Sequence, residues 1–294
     1  VTGAERYGAD TAPAGALWLR VIRSPHARAR FTLGDLAAVT AATPGLERIF
    51  TAADIPGSKG FGVYPHIKDQ PVLAEGQVRY RGEAVLALVG TRKAVWSLKP
   101  EDLPITWAAE EAVTDFGGAD VPAVQEGKPD NVLARGFVNK GDAEAALAGS
   151  AFTAGVATAT PFIEHAYIEP EAGYAERKGD RLEIWVTTCC PSELEVTPQA
   201  PCSVRDETAA ILGLEREQVI PSACGGGFGG KLDLSLHPLI GLAAWLLDRP
   251  VRCEYTRPES MASSTKRHPS RVTARAGCDA EGRLIALSFE GAFD

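Results

Sequence analysis

The 294-residue sequence has no apolar run long enough to cross a bilayer. Its longest unbroken stretch, Leu239 to Leu247, falls far short of the roughly 20 residues a spanning helix needs. The opening Val1-Thr2-Gly3-Ala4-Glu5-Arg6 has neither the basic start nor the apolar core of a signal peptide. The missing initiator Met is compatible with removal of a leader. Basic residues are not in excess either: 30 Lys and Arg face 38 Asp and Glu, a formal charge of −8. That balance argues against a nucleic-acid partner, because phosphate neutralisation needs clustered cations. Six cysteines lie in the second half without a single CxxC pair, which argues against an iron–sulfur cluster or structural zinc held by close thiolates. Reduced thiols in the cytoplasm are the expectation. Internal repeats are absent. With 45% hydrophobic and 23% charged residues the chain is not disordered. Thirty Gly and 20 Pro point to short elements and many turns, not to a helical bundle.

The first third alternates strand and helix patterns. Leu17 to Arg23 reads as a strand closed by Ser24-Pro25. Asp35 caps a helix that stops at Pro44-Gly45. Strands follow at Leu46 to Thr51 and Ala84 to Val89, the latter apolar throughout and so expected to be covered on both faces. Thr91 caps a helix from Arg92 to Leu98, and Leu103 to Trp107 is a further strand. From Phe116 to Arg135 the chain is rich in Gly, Asp, Pro and Asn, as in a surface linker. A second mixed region opens with a helix at Asp142 to Leu147, capped at Gly141-Asp142, and strands at Ala151 to Thr160 and Leu182 to Thr187. It continues with helices at Arg205 to Leu212 and Pro238 to Leu247 and a strand at Val251 to Tyr255. Arg271 to Ala276 and Leu284 to Phe289 flank the turn Asp279-Ala280-Glu281-Gly282, a hairpin signal. The expected divisions are residues 1–115, a linker at 116–140, and 141–294, all within a mixed α/β (α+β) class. The stop at Asp294 directly after a strand suggests part of a longer chain or a split-gene product.

The most informative stretch is Cys224-Gly225-Gly226-Gly227-Phe228-Gly229-Gly230-Lys231-Leu232, with five glycines in six residues. Such a run lets backbone approach a bound group and direct several N–H donors at it. Gly225 to Lys231 has the spacing of a phosphate-binding P-loop. Leu232, however, stands where the Mg²⁺-binding Ser or Thr is required, and no acidic strand end follows. A dinucleotide-binding fingerprint fails for want of its strand–glycine–helix unit and acidic partner. Phe228 inside the run has two readings. Either the ring plugs into ordinary core, or the loop both approaches a cofactor and walls off its reactive face.

The order of GGGFGGK, Arg249-Pro250-Val251-Arg252 and Lys266-Arg267-His268-Pro269 resembles the molybdenum-binding subunit of the xanthine dehydrogenase and aldehyde oxidase family. The N-terminal region is similar as well: Arg23-Ser24-Pro25-His26-Ala27, then Thr51 to Gly57, then Asp69-Gln70-Pro71, then Val78-Arg79-Tyr80 with Gly82-Glu83. The resemblance runs through essentially the whole chain. It implies an N-terminal α/β hammerhead domain over 1–115 followed by the first part of a molybdopterin-binding domain. It also implies an oxidoreductase that hydroxylates an aldehyde or N-heterocycle with oxygen taken from water. The cofactor would be molybdopterin, in its plain or cytosine dinucleotide form, with 2Fe-2S clusters and FAD on partner subunits. A C-terminal half of the molybdenum subunit would carry the catalytic base, so no catalytic residue is expected here.

By the same resemblance Gln199 hydrogen-bonds an oxygen ligand of molybdenum, and Phe228 and Gly229 lie beside the apical oxygen with a Gly229 N–H as donor. Gly226, Gly227 and Gly230 shape the loop; Gln199 and Phe228 stand near the metal without ligating it. Leu232 occupies the place where xanthine-specific members carry a purine-binding glutamate, which argues against xanthine. The segment from Cys189 to Val196 looks like an insertion before the glutamine motif. A non-catalytic scaffold that kept the fold is the alternative. Glu164-His165 with Glu169-Pro170-Glu171 does not match a metal-binding helix and is expected to act structurally near the cofactor. His26 and His268 read as turn or interface residues, His237 as a helix-start residue, and Lys266-Arg267 as a solvated pair.

Overall fold

The computed structural model describes residues 3–62, 67–114, 122–125, 127–188, 204–215 and 224–294. In chain order the first elements are β1 (Leu17–Arg23), β2 (Ala29–Leu33), α1 (Leu36–Ala42), β3 (Leu46–Phe50), β4 (Gly60–Phe61), β5 (Gln70–Pro71), β6 (Gln77–Val78), β7 (Ala84–Gly90), α2 (Arg92–Ser97) and β8 (Ile105–Ala109). Then come α3 (Ala143–Ala148), β9 (Phe152–Thr160), β10 (Ala172–Lys178), β11 (Arg181–Val186), α4 (Val204–Leu212) and α5 (His237–Leu247). The last are β12 (Val251–Glu254), α6 (Arg257–Ser263), β13 (Ser270–Cys278) and β14 (Leu284–Phe293). Packing divides them into two compact units that do not follow chain order. One comprises Val1–Ala112 with His165–Thr265, the other Val113–Glu164 with Lys266–Asp294.

The larger unit is built on a six-stranded sheet in the order β11-β10-β12-β1-β7-β3. Only β1 and β12 run parallel; the other neighbours are antiparallel. Alternating side chains of β7 explain its unbroken apolarity. Ala87 and Val89 join a core with Leu19, Ile184 and Ile240, whereas Leu86 and Leu88 join a second core with Phe31, Val78 and Val95. Both faces of that strand are therefore covered, as its composition required. Helix α5 packs on β10 and β11, and its residues from His237 to Ala244 are all buried. An element apolar on every side has no other stable place.

In the smaller unit β14, β13 and β9 form an antiparallel three-stranded sheet. Helix α3 lies against one face: a Cβ on Gly277 would come within 3.3 Å of Leu147, and Arg275 pairs with Glu144.

The predicted caps are in place. Asp35 accepts the Ala38 N–H at 2.9 Å, Thr91 the Ala94 N–H at 3.2 Å and Asp142 the Ala145 N–H at 3.0 Å. We expect Asp35→Ala to lower stability by about 1 kcal/mol, read as a shift in the urea midpoint with unchanged slope. The turn after Cys278 is closed by Asp279, whose carboxylate accepts the Glu281 and Arg283 N–H groups. Six elements escaped the sequence patterns: β2, the two-residue strands β4, β5 and β6, β10, and α6. For α6 a signal exists, because Thr256 accepts the Glu259 N–H at 3.3 Å with Pro258 in the first turn. The described part of the expected linker has no regular structure. Among the described residues no helix is long and apolar enough to cross a membrane.

Candidate cofactor-binding site

The glycine run occupies the turn between the described residue 224 and the start of α5, and it is held at both ends by one carboxylate. Glu169 Oε2 accepts the Gly225 N–H at 2.5 Å, and Oε1 accepts the Gly8 N–H at 3.3 Å. At the other end of the loop, the Lys231 ammonium donates to the Glu169 carbonyl at 2.8 Å and stands 3.2 Å from Oε2. The lysine is buried, and its Nζ lies 4.5 Å above the Tyr167 ring. A buried cation is tolerable only with such compensation from hydrogen bonds, an opposite charge and a ring face. This arrangement removes the P-loop reading from a second direction, since Lys231 turns inward and is engaged by Glu169.

Tyr167 forms the floor. Its hydroxyl donates to Glu171, and burial, reinforced by that carboxylate, pushes the phenol well above its usual range. Its carbonyl and that of Ile168 accept from Arg257 of α6 at 2.5 and 2.9 Å. His237 starts α5, as expected. Its Nδ1 accepts the Ser235 N–H at 3.1 Å, so the neutral ring carries its proton on Nε2. Burial, then the nearby Lys231, push this histidine down to about 3. The unfolded chain would bind a proton near pH 6.5 that the fold refuses, so this contribution to stability is present above about pH 6.5. It is lost progressively as pH falls toward 3. We expect the first unit below pH 6.5 to remove about 1 kcal/mol in thermal or urea melts, and His237→Gln to flatten that slope.

Glycine is required at several loop positions for different reasons. Gly226 and Gly229 have φ of +100° and +98°, which L side chains rarely adopt. A Cβ on Gly230 would lie 2.9 Å from Tyr167 Cε1 and 3.0 Å from His165 Nδ1. Phe228 itself is left-handed at φ +51°, and so is Ala166, at +49°, between His165 and Tyr167. Such strain in non-glycine residues gathers where function over-determines the backbone. The Phe228 ring is 77% exposed, which overturns the reading that it plugs into core. Gly230 N–H donates to Gly227 O at 2.7 Å. Among the described residues, however, the N–H groups of Gly226, Gly227, Phe228 and Gly229 find no acceptor. Consecutive unused main-chain donors beside a glycine cradle suit an anionic, oxygen-rich group. Leu232, 53% exposed, follows at the rim. The other expected site residue, Gln199, lies outside the described residues, as does the segment from Cys189 to Val196.

The carboxylate-rich segment does not assemble a metal site: among the described residues no three His, Cys, Asp or Glu side chains could share an ion. Its carboxylates serve as acceptors instead. The pairing of Glu169 with Lys231, 62 residues apart, was not visible in any spacing. Lys266 departs from the solvated pair expected of it, because it forms an ion pair with Glu164 in which both side chains are largely buried. His26 packs on Trp107 with ring centroids 5.3 Å apart, consistent with a turn histidine. The three described cysteines form no disulfide.

The α/β scaffold thus presents a glycine loop pinned by Glu169, with main-chain donors that have no acceptor among the described residues and an outward phenylalanine. A family model of the molybdopterin cofactor-binding domain matches residues 124–294, and one of the aldehyde oxidase and xanthine dehydrogenase a/b hammerhead domain matches residues 2–96. The chain belongs to the xanthine dehydrogenase and aldehyde oxidase family and carries its molybdopterin cofactor-binding domain. It is 31% identical, over 97% of its length, to a probable xanthine dehydrogenase component of Bacillus subtilis, and spans 37% of that protein. It is likewise 31% identical, over 99% of its length, to the nicotinate dehydrogenase large molybdopterin subunit of Eubacterium barkeri, of which it spans 66%. The aldehyde oxidoreductase of Desulfovibrio gigas shares the fold, with a TM-score of 0.86 at 21% identity over 98% of this chain and 32% of that one. Quinoline 2-oxidoreductase from Pseudomonas putida gives a TM-score of 0.80 at 26% identity over 99% of this chain and 37% of that one.

Proposed function

We propose that this chain forms one wall of the molybdenum-cofactor site in an oxidoreductase that hydroxylates an aldehyde or an N-heterocycle. The observation that supports the reading is the row of N–H donors from Gly226 to Gly229 that have no acceptor among the described residues, in a loop anchored by the Glu169–Lys231 clip. When bound, the molybdenum–pterin group supplies a metal that lowers the pKa of water and an acceptor for substrate electrons. This chain's residues position and shield. The Gly229 N–H would donate to an oxygen of the group, Phe228 would shield one side of it from water, and Gly226, Gly227 and Gly230 would permit the close approach. By the family resemblance, Gln199 would add a further donor.

Leu232 offers an apolar contact, which suits an aldehyde or a less polar ring better than a purine whose edges demand hydrogen-bond partners. The reading includes a hammerhead domain over 1–115, a linker over 116–140 and a molybdopterin-binding part over 141–294. It also includes a second part of the molybdenum subunit, 2Fe-2S and FAD partner subunits, and a cytoplasmic location. The cofactor is molybdopterin with or without its cytosine dinucleotide. The test is metal and pterin analysis of the purified assembly, followed by turnover with aldehydes, nicotinate-like rings and purines. Stoichiometric molybdenum with activity on the first two classes supports the proposal; an assembly free of molybdenum and pterin leaves a non-catalytic scaffold in its place.

A further inference from the structure

The sheet of the smaller unit has two faces of opposite character. One carries Arg271, Thr273, Arg275, Ser288 and Glu290 and receives α3. Read through the strand register, the other has Phe152 and Val156 on β9, small or aliphatic residues at Val272, Ala274 and Ala276 on β13, and Leu284, Leu287, Phe289 and Phe293 on β14, with the uncharged hydroxyls of Thr158, Thr160 and Ser270 confined to one end. No charged side chain stands on it. The rings of Phe289 and Phe293 close over Gly291, where a Cβ would meet them at 3.0 and 3.3 Å, so the apolar surface is continuous. Yet Phe289 is 61% and Phe293 65% exposed, with Phe152, Val156, Leu284 and Leu287 similarly bare. Period-two alternation marks this as a face built for burial, because an antiparallel sheet facing water on one side places its polar residues there. A patch of this continuity on a lone domain is a contact surface.

We infer that this apolar sheet face is the seat of the remaining polypeptide of the molybdopterin-binding subunit, which docks on it with an apolar face of its own. The inference rests on the proposed function for the identity of the occupant. Length argues for that occupant: the chain spans 37% and 66% of the two curated relatives, so a large body of chain accompanies this region in them. Composition argues the same way. Permanent interfaces resemble a domain core cut in two, whereas a transient partner would leave charges near the centre. Phe289 and Phe293, large, adjacent and free of polar atoms, are the expected anchors.

The test is hydroxyl-radical footprinting of the holoenzyme isolated from its source cells beside the 294-residue chain alone at equal concentration. Labelling of Phe289, Phe293 and Leu287 is expected to fall at least about tenfold in the holoenzyme and stay high in the chain alone. A tagged chain carrying Phe289→Ser and Phe293→Ser should melt as the parent does, since both rings are exposed, yet recover at least about tenfold less of the remaining subunit polypeptide. Equal labelling in both samples would overturn the inference. So would protection in the chain alone accompanied by a dimer in mass photometry, which would make a second copy the occupant. Molybdenum content is measured on the same preparation. A metal-free assembly that still shields the face would sink the proposed function and keep the docking surface.

Discussion

Glu169→Leu is expected to destabilise the chain by about 3–5 kcal/mol, because it strands the Lys231 ammonium in a buried place. The same change removes the acceptor for the Gly225 and Gly8 N–H groups, so two main-chain donors lose their partner. The Glu169 carbonyl and the Tyr167 ring would remain near the lysine, and neither neutralises its charge. Adding Lys231→Met should restore a large part of the loss, since apolar replacement of both members of a buried pair is often close to neutral. Urea unfolding of the two single variants and the double variant at pH 7 measures the coupling. Strictly additive single effects would show that the two groups act independently and that the clip is not what holds the loop.

The second large effect concerns the loop surface rather than its anchor. Gly230→Val places a branched side chain against Tyr167 and His165, where even a Cβ lies at 2.9 to 3.0 Å. Tyr167 is fixed by its bond to Glu171 and by Arg257 on its carbonyl, so the loop, not the floor, must move. Retained molybdenum in the purified assembly should drop about tenfold or more, equivalent to at least about 1.4 kcal/mol of cofactor affinity. The chain itself should lose about 1–3 kcal/mol from overpacking. Gly136→Ala is the control, as nothing lies within 4 Å of the position a Cβ would take. Full molybdenum occupancy in Gly230→Val would show that the cofactor does not use this loop.

Much of the scaffold is legible residue by residue. Asp35, Thr91 and Asp142 announce helix starts because a short side-chain acceptor satisfies an orphan N–H within the same turn. The unbroken apolarity of Ala84 to Val89 announces a strand with two covered faces, and the two separate cores confirm it. Strand β10 hides because Ala172, Gly173 and Ala175 carry little side-chain signal; its place comes from pairing with β11 and β12. Of the site, the glycine run and its phenylalanine stand out by composition, whereas Glu169 looked like one more acidic residue in Glu169-Pro170-Glu171. What made it an anchor was a partner 62 positions away.

Local sequence by itself determined the class of elements, their caps, and the glycine run with its central phenylalanine. Those features depend on interactions spanning a few residues, and each residue type carries its own preference. Tertiary structure alone decided that Lys231 faces inward to Glu169, that Phe228 faces outward, and that one apolar face of the small sheet stands bare. Burial and charge pairing are properties of neighbours in space, and no short window of sequence contains those neighbours.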